Sequence, residues 1–267
     1  MTRRRAESAA WALASGVFLL LVYGFVLAPL ISIVLASFNS ASAFPSGFQS
    51  FTLHWYGQFF GQTFFVQALI VSVEVAVASA ALAMLIGVPL ALALTGRSFR
   101  GRRLWNGFFT SPLLIPQIGV SLALLQMFTL INAPLGTPTL VLAHAVFILP
   151  YAMRAVVGRL SVFDRSLGEA ASDLGATPLK AFWHVTFPLI RSGMTAGFVL
   201  AAIMSFINVP LSLFLVTPTD TTLPIQVLAY MQSRLDPTLA AVSAFTVLIV
   251  IVINAVLEWG LGVNLLA

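Results

Sequence analysis

The feature that most constrains this chain is its division into long apolar stretches separated by short polar segments. A helix of about 20 apolar residues crosses the hydrocarbon core of a bilayer. Of the 267 residues, 60% are hydrophobic and 8% are charged, whereas soluble domains carry roughly 25% charged residues. The sequence therefore predicts an all-α, polytopic integral membrane protein.

Six stretches are long enough to cross a membrane. We predict spans at about 11–37, 65–94, 104–131, 139–157, 193–216 and 237–258. Pro112 and Pro116 predict a kink in the third span, and Leu223-Pro224-Ile225 is expected to begin an interfacial or re-entrant helix. No soluble domain or long linker is evident, so residues 1–267 are predicted to form one transmembrane domain with a polar loop at 158–192.

The first outer segment, 38–63, is rich in aromatic residues. We interpret Trp55, Tyr56, Phe59 and Phe60 as an interfacial aromatic belt, a position that such side chains favour. Contact with a protein that delivers a solute is the alternative.

Basic residues cluster at every second gap between the apolar stretches. The clusters comprise Arg3, Arg4 and Arg5, then Arg97, Arg100, Arg102 and Arg103, then Arg154, Arg159, Arg165, Lys180 and Arg191. This distribution is the positive-inside pattern, which places both termini and the polar loop in the cytoplasm of a cell with an inner, or plasma, membrane. The net charge of +5 therefore indicates orientation and predicts no nucleic-acid partner.

The sequence lacks the common signatures of catalysis. Without cysteine it has no disulfide or thiolate site, and its three histidines, His54, His144 and His184, show no metal-ligand spacing and are interpreted as interfacial or packing residues. The only lysine, Lys180, follows Leu179, so the chain contains no P-loop for ATP. We expect a non-enzymatic subunit with no cofactor or metal of its own.

Several polar residues lie inside the predicted spans. An ionisable or strongly polar side chain at membrane depth costs several kcal/mol unless it is solvated or paired. The candidates for a translocation path are Glu74, Gln117, Ser121, Gln126, Ser205 and Asn208. Glu74 faces a water-filled path or pairs with a structural partner such as Gln126 or Asn208, and the residues leave both interpretations open.

The polar segment 168–188 predicts two short helices joined by a hinge. Leu167, Ala170, Ala171 and Leu174 form a small apolar face, with Glu169 and Asp173 expected in early helical turns, where the helix dipole favours acids. Gly175 is expected to end the first helix in the left-handed conformation. Thr177 and Pro178 are expected to begin the second helix as N-cap and first residue, and Pro188 to stop it.

This segment resembles the EAA loop of the permease subunits of binding-protein-dependent ABC importers. The resemblance is carried by Glu169-Ala170-Ala171, three residues, Gly175, nine residues and then Val185-Thr186-Phe187-Pro188. The family pattern ends in Ile-x-Leu-Pro, so Val185 and Phe187 are apolar departures. In that family the loop is the coupling helix that docks on the cytoplasmic ATPase.

The resemblance implies the fold of a type I importer permease and three kinds of protein partner within the lipid bilayer. These are an ABC ATPase dimer that binds ATP and magnesium, a second permease that is more often a different chain than an identical one, and an external solute-binding protein. The residues that it assigns to ATPase coupling are Glu169, Ala170, Ala171, Asp173, Gly175, Thr177 and Pro178.

Within the family, the chain is most similar to spermidine/putrescine-type permeases. The similarity lies in Ser37-Phe38-Asn39, Trp55-Tyr56 and Leu223-Pro224-Ile225. Those permeases typically carry two acids in the fifth span, where this chain has Ile207 and Asn208, and often an acid where it has Gln117. The expected substrate is a small polar organic solute, with polyamine-like and other amine-containing solutes left open. The alternative function is an ion-gradient-driven secondary transporter that uses Glu74 as its coupling site.

Overall fold

A computed structural model describes residues 2–42, 47–96, 100–162 and 166–261 of the chain. Within these ranges the regular structure is helical, apart from one isolated β-bridge between Asn39 and Phe51. The helices are α1 (Thr2–Ser37), α2 (His54–Gly61), α3 (Thr63–Thr95), α4 (Arg102–Thr110), α5 (Gln117–Leu130), α6 (Thr137–Ser161), α7 (Ser166–Asp173), α8 (Pro178–Ala181), α9 (Phe187–Phe206), α10 (Val209–Ser212), α11 (Leu223–Ser233) and α12 (Thr238–Leu261). The predicted all-α class is confirmed.

Five helical runs in the described residues are each long and apolar enough to cross a membrane. They are Leu13–Ser37, Thr63–Thr95, Thr137–Ser161, Pro178–Phe206 and Thr238–Ala255. A sixth crossing requires the bent pair Arg102–Leu113 and Gln117–Leu130 to count as one span. The multi-span architecture predicted from hydropathy is therefore present, with the third crossing as its irregular member.

The third predicted span is broken rather than merely kinked. Its two arms, Arg102–Leu113 and Gln117–Leu130, diverge by 98°. Pro112 lies in a 3₁₀ turn, and Pro116 immediately precedes α5. Proline lacks an N–H donor and disfavours helical geometry in the residue before it, here Ile115, so the chain changes direction at this point.

The fifth predicted span begins earlier and is interrupted near its predicted end. α9 ends at Phe206, Asn208 is extended, and the four-residue α10 follows. The span predicted at 193–216 is therefore divided at Ile207–Asn208 into α9 and α10. Asn208 and Pro210 supply the break, because Asn208 caps α10 and Pro210 lies in its first turn.

Pro188 does not stop the second helix of the polar loop, contrary to the prediction. A π-helical turn, Phe182–Thr186, connects α8 to α9, and Pro188 lies in the first turn of α9. The N–H of Phe187 bonds to the carbonyl oxygen of Phe182 in this turn. Because of this wider π turn, the helical run continues through Pro188, which has no N–H to donate.

The chain packs as two compact units: Met1–Gln62 with Tyr230–Ile249, and Thr63–Ala229 with Val250–Ala267. The core of the second unit is formed by α3, α6 and α9. A Cβ atom added at Gly193 would lie 2.8 Å from Cβ of Arg159, and one added at Gly197 would lie 3.0 Å from Cβ of Ala155. These glycines let α9 approach α6 closely, as small residues do between membrane helices.

In the first unit, the aromatic residues of segment 38–63 are divided between interior and surface. Trp55 and Phe59 are buried, and Trp55 Nε1 donates to the carbonyl oxygen of Asn39 over 2.7 Å. The hydroxyl groups of Tyr56 and Ser37 lie 2.8 Å apart. The predicted interfacial belt was therefore wrong for Trp55 and Phe59, because their rings fill the interior of this unit.

The start of α12 is held by Asp236. Its carboxylate accepts from the hydroxyl of Tyr230 at 2.7 Å and from the N–H of Thr238 at 2.9 Å. Burial opposes the charged carboxylate, but the hydrogen bonds from Thr238 and Tyr230 and the charge of Arg234 outweigh it, so the pKa of Asp236 lies below its usual value. The stability that this carboxylate adds is present above its unfolded pKa and is lost as pH falls through the lowered pKa.

Candidate functional site

The polar loop between α6 and α9 folds as the predicted pair of helices with a glycine hinge. Gly175, two residues after the end of α7, has φ of +85°. The N–H of Ala176 bonds to the carbonyl oxygen of Ala171 at 3.0 Å, and that of Leu174 to Ala170 at 3.1 Å. This six-to-one hydrogen bond across a left-handed glycine is the Schellman ending of a helix.

The second helix of the loop begins as predicted, with Thr177 as its N-cap. The Thr177 hydroxyl accepts from the N–H of Lys180 at 3.4 Å, and Pro178 is in the first turn. The prediction for Asp173 was wrong, because it is the last residue of α7 rather than an early one. The backbone of Glu169 lies within α7, and its side chain is outside the described part of the structure.

The loop presents uncovered apolar side chains beside its small residues. Leu174 is 89% exposed and Leu179 is 68% exposed. Ala170, Gly175 and Pro178 are exposed too, and Ala171 is half-buried. Apolar groups on an otherwise polar turn are typical of a contact surface for another molecule. The sequence pattern did not single out Leu179 as part of this surface.

A second set of polar residues surrounds the break between α9 and α10. Asn208 Oδ1 accepts from the N–H of Leu211 at 2.9 Å, and Asn208 Nδ2 donates to Gln117 Oε1 at 3.4 Å. Ser121 Oγ donates to the carbonyl oxygen of Leu211 at 3.0 Å. These hydrogen bonds join the α9–α10 break to the first turns of α5. Helix α5 is in turn the second arm of the bent third span.

His144, on α6, extends this cluster and was missed as part of it. Its Nδ1 lies 2.7 Å from Ser205 Oγ and its Nε2 lies 3.2 Å from Ser212 Oγ. The Ser212 hydroxyl donates to the carbonyl oxygen of Asn208 at 3.1 Å, so it accepts from His144. This geometry favours a proton on Nε2 and an acceptor role for Nδ1. The interpretation of His144 as a packing residue fits its burial, while the sequence offered no signal for its two serine partners.

Glu74 is separate from this cluster. It lies on an exposed stripe of α3 together with Ile70, Val73 and Val77. Within the described residues it forms no ion pair or hydrogen bond with Gln126 or Asn208, and Gln126 is exposed on α5. The structure therefore joins Gln117, Ser121, Ser205 and Asn208 in one cluster and leaves Glu74 and Gln126 outside it. Among the same residues, no group of three His, Asp or Glu side chains is arranged to hold a metal ion.

Relatives of this chain include permeases of polyamine transport systems and a permease of a molybdenum transport system. The chain is 33% identical over 235 residues to the putrescine transport system permease protein PotI of Escherichia coli (strain K12), covering 85% of this chain and 83% of PotI. It is 33% identical over 236 residues to the spermidine/putrescine transport system permease protein PotC of the same organism, covering 88% of each chain.

Solved structures with the same fold include transporters for other solutes. A bacterial ABC transporter involved in the import of the acidic polysaccharide alginate superimposes with a TM-score of 0.73 at 19% identity, covering 93% of this chain and 95% of that chain. An amino acid ABC transporter superimposes with a TM-score of 0.59 at 15% identity, covering 78% of this chain and 97% of that chain.

The profile described as binding-protein-dependent transport system inner membrane component matches residues 83–263. The chain therefore belongs to the family of inner membrane components of binding-protein-dependent transport systems.

Proposed function

We propose that this ABC importer permease subunit forms, with a second permease, the path by which a small polar solute enters the cell, driven by a separate ATPase dimer. The observation that carries the proposal is the folded coupling loop, with Leu174 and Leu179 exposed beside Ala170 and Gly175. Such a small-faced hairpin suits a groove on a partner that moves the membrane helices. Membership of the family favours this mechanism over the ion-gradient alternative.

The residues proposed for ATPase coupling are those of this loop, Glu169, Ala170, Ala171, Asp173, Gly175, Thr177 and Pro178. ATP and magnesium bind to the ATPase dimer in this proposal, and the permease itself performs no catalysis. The hinge at Gly175 and the cap at Thr177 set the angle between α7 and α8, so they determine the shape that the ATPase meets.

The test compares two leucines that are both exposed in polar segments. Leu174→Asp lies in the proposed docking surface, and Leu235→Asp, at a residue 68% exposed between α11 and α12, is the matched control. We expect Leu174→Asp to lose co-purification of the ATPase while still inserting in the membrane, and Leu235→Asp to retain it. Normal ATPase recovery with Leu174→Asp would refute the docking role.

The proposed substrate is a polyamine-like or other amine-containing solute. The support comes from PotI and PotC, which are named for putrescine and spermidine transport, and from Glu74, an exposed carboxylate on a membrane-spanning helix. A carboxylate at that depth attracts a cation because the surrounding hydrocarbon screens charge poorly. Uptake of labelled putrescine into vesicles that contain the assembled importer, in competition with spermidine or a neutral sugar, tests this assignment. Competition by the sugar alone would overturn it.

Within the path, we propose two roles for the six candidate residues. Glu74, Gln117 and Gln126 face the solute, since each is at least partly exposed within this chain. Ser121, Ser205 and Asn208 do not face the solute but hold the helices that line the path, since their side chains are buried and hydrogen-bonded around the helix break.

The proposed orientation places both termini and the coupling loop in the cytoplasm, with an external binding protein on the other side. The second permease is proposed to be a different chain. Orientation is tested on this cysteine-free sequence with Ser50→Cys and Arg100→Cys, labelled in intact cells by a reagent that does not cross the membrane. We expect labelling at residue 50 alone, and the reverse result would invert the topology.

A further inference from the structure

A cavity of about 750 Å³ opens where the end of α3, the start of α4 and the end of α6 meet. Its polar lining comes from Thr95, Arg102, Arg103 and Asn106. Sites for small ligands typically measure about 300–1,000 Å³, so a lipid headgroup fits within it. The cavity is remote in sequence from the coupling loop and shares no residue with the candidates for the translocation path.

The cavity carries positive charge that no acidic side chain neutralises among the residues that the structure describes. Both Arg102 and Arg103 line it, and no lining residue is acidic. Within residues 2–42, 47–96, 100–162 and 166–261, neither guanidinium forms an ion pair or a hydrogen bond. The cavity also contains the first turn of α4, where backbone N–H groups ahead of Trp105 have no partner in the helix. Arginine pairs and free N–H groups together favour an anion with several oxygens.

The helix that carries these arginines has the character of a membrane-surface helix. Leu104, Trp105 and Phe108 are exposed on α4, and the ring of Trp105 lies 6.0 Å from that of Phe108. The arm containing α4 diverges from α5 by 98°. The two arms therefore cannot both run along the membrane normal. Basic residues followed by exposed Trp, Phe and Leu are typical of interfacial helices.

We propose that this cavity binds the phosphate headgroup of an anionic phospholipid. Arg102 and Arg103 contact the phosphate oxygens, and the acyl chains lie along Leu104, Trp105 and Phe108. A soluble phosphate would use the arginines but leave the aromatic surface beside them uncovered, which is why the lipid is the favoured source of the phosphate. Basic pockets between membrane helices on the cytoplasmic side are suited to such headgroups. The site does not depend on the identity of the transported solute.

The test measures lipid retention by the full-length chain in detergent, using native mass spectrometry. Phosphatidylglycerol is the anionic probe and phosphatidylcholine the zwitterionic one. The Arg102→Gln/Arg103→Gln variant is compared with Arg100→Gln/Arg154→Gln, whose arginines are exposed and do not line the cavity. We expect the affinity for phosphatidylglycerol to fall roughly fivefold for each cavity arginine removed, and to stay within about twofold in the control.

Each remaining outcome decides for or against the site. Arg102→Lys/Arg103→Lys, which preserves charge, is expected to retain most of the binding, and its retention separates loss of charge from misfolding. The proposal would be overturned if the Arg100→Gln/Arg154→Gln control lost as much affinity for phosphatidylglycerol as the cavity variant. It would also be overturned if the unmodified chain retained phosphatidylcholine as well as it retains phosphatidylglycerol. Full displacement by millimolar inorganic phosphate would assign the cavity to a soluble anion, and displacement by the purified ATPase would assign it to a protein partner.

Discussion

The loop between α6 and α9 and the cluster around Asn208 are both polar regions of an apolar chain, but their surroundings are opposite. In the loop, Leu174 and Leu179 are exposed and have no cover. In the cluster, His144 and Ser205 are buried and hydrogen-bonded to each other. A polar region that exposes apolar groups is suited to meeting another molecule, whereas a polar region that satisfies its own atoms supports the fold.

The physical basis of this contrast is the cost of unsatisfied groups. A buried polar atom without a partner costs about 1–3 kcal/mol, and the cluster avoids this cost because its side chains bond to one another and to the carbonyl groups of Asn208 and Leu211. In the loop the unfavourable groups are apolar instead. Burial of its exposed leucines by a partner would lower the free energy of the complex. Substitutions in the two regions should therefore affect different measurements.

The strongest test of the contrast is Gly175→Asp, in the loop. The residue has φ of +85°, a conformation that side-chain-bearing residues adopt at a cost of roughly 1–2 kcal/mol, and the new carboxylate would lie in the proposed docking surface. We expect uptake and ATPase association to be abolished while membrane insertion is retained. Gly57→Asp, at an exposed glycine of α2 with open space around it, is the control and should transport normally.

In the buried cluster the expected effect is on stability instead. His144→Leu removes both bonds to Ser205 and Ser212, and we expect the free energy of unfolding to fall by about 2–3 kcal/mol. Thermal unfolding in detergent measures this change. The exposed His54→Leu serves as control, with an expected change within about 0.5 kcal/mol. Unchanged stability of His144→Leu would mean that the cluster does not support the fold.

Glu74 tests the boundary between the two kinds of region, because it is polar and at membrane depth but has no hydrogen-bond partner among the described residues. We expect Glu74→Leu to lower the uptake of an amine-containing solute about tenfold, or roughly 1.4 kcal/mol, while leaving thermal stability unchanged or higher. Glu74→Asp, which keeps the charge, should restore most of the uptake. A large loss of stability would instead identify Glu74 as a structural residue.

The smallest expected effect comes from the cap of α10. Asn208→Ala removes the bonds to Leu211 and Gln117, and the loss of an N-cap typically costs about 1 kcal/mol. Asn208→Ser retains a capping oxygen and should recover about half of that loss in the same unfolding measurement. Equal destabilisation by both substitutions would indicate that Asn208 stabilises the protein through its contact with Gln117 and not through the cap.

Local features of the loop could be predicted in detail from the sequence. The left-handed Gly175 and the Thr177 cap depend on residues within one helical turn, so their chemistry is sufficient to predict them. The position of Asp173 at the end of α7 was mispredicted because this helix is only eight residues long and ends there. The aromatic residues Trp55 and Phe59 were mispredicted because a ring is equally suited to an interface and to an interior.

The path candidates depended on contacts between residues distant in sequence. His144 and Ser205 are 61 residues apart, and Asn208 and Gln117 are 91 residues apart, so no local pattern could pair them. Proline at 112 and 116 indicated a disturbance of the third span, but not a bend of 98°. The size of such a bend depends on how the two arms pack, which the residues at the bend do not specify.

The sequence by itself determined that the chain is a helical membrane protein with a polar helical hairpin between its fourth and fifth predicted crossings, since hydropathy and turn chemistry act over short distances along the chain. Only the tertiary structure decided which polar residues satisfy one another and which remain available. The physical reason is that a hydrogen bond depends on the distance between two atoms in space, and the close approach of α3, α6 and α9 sets that distance.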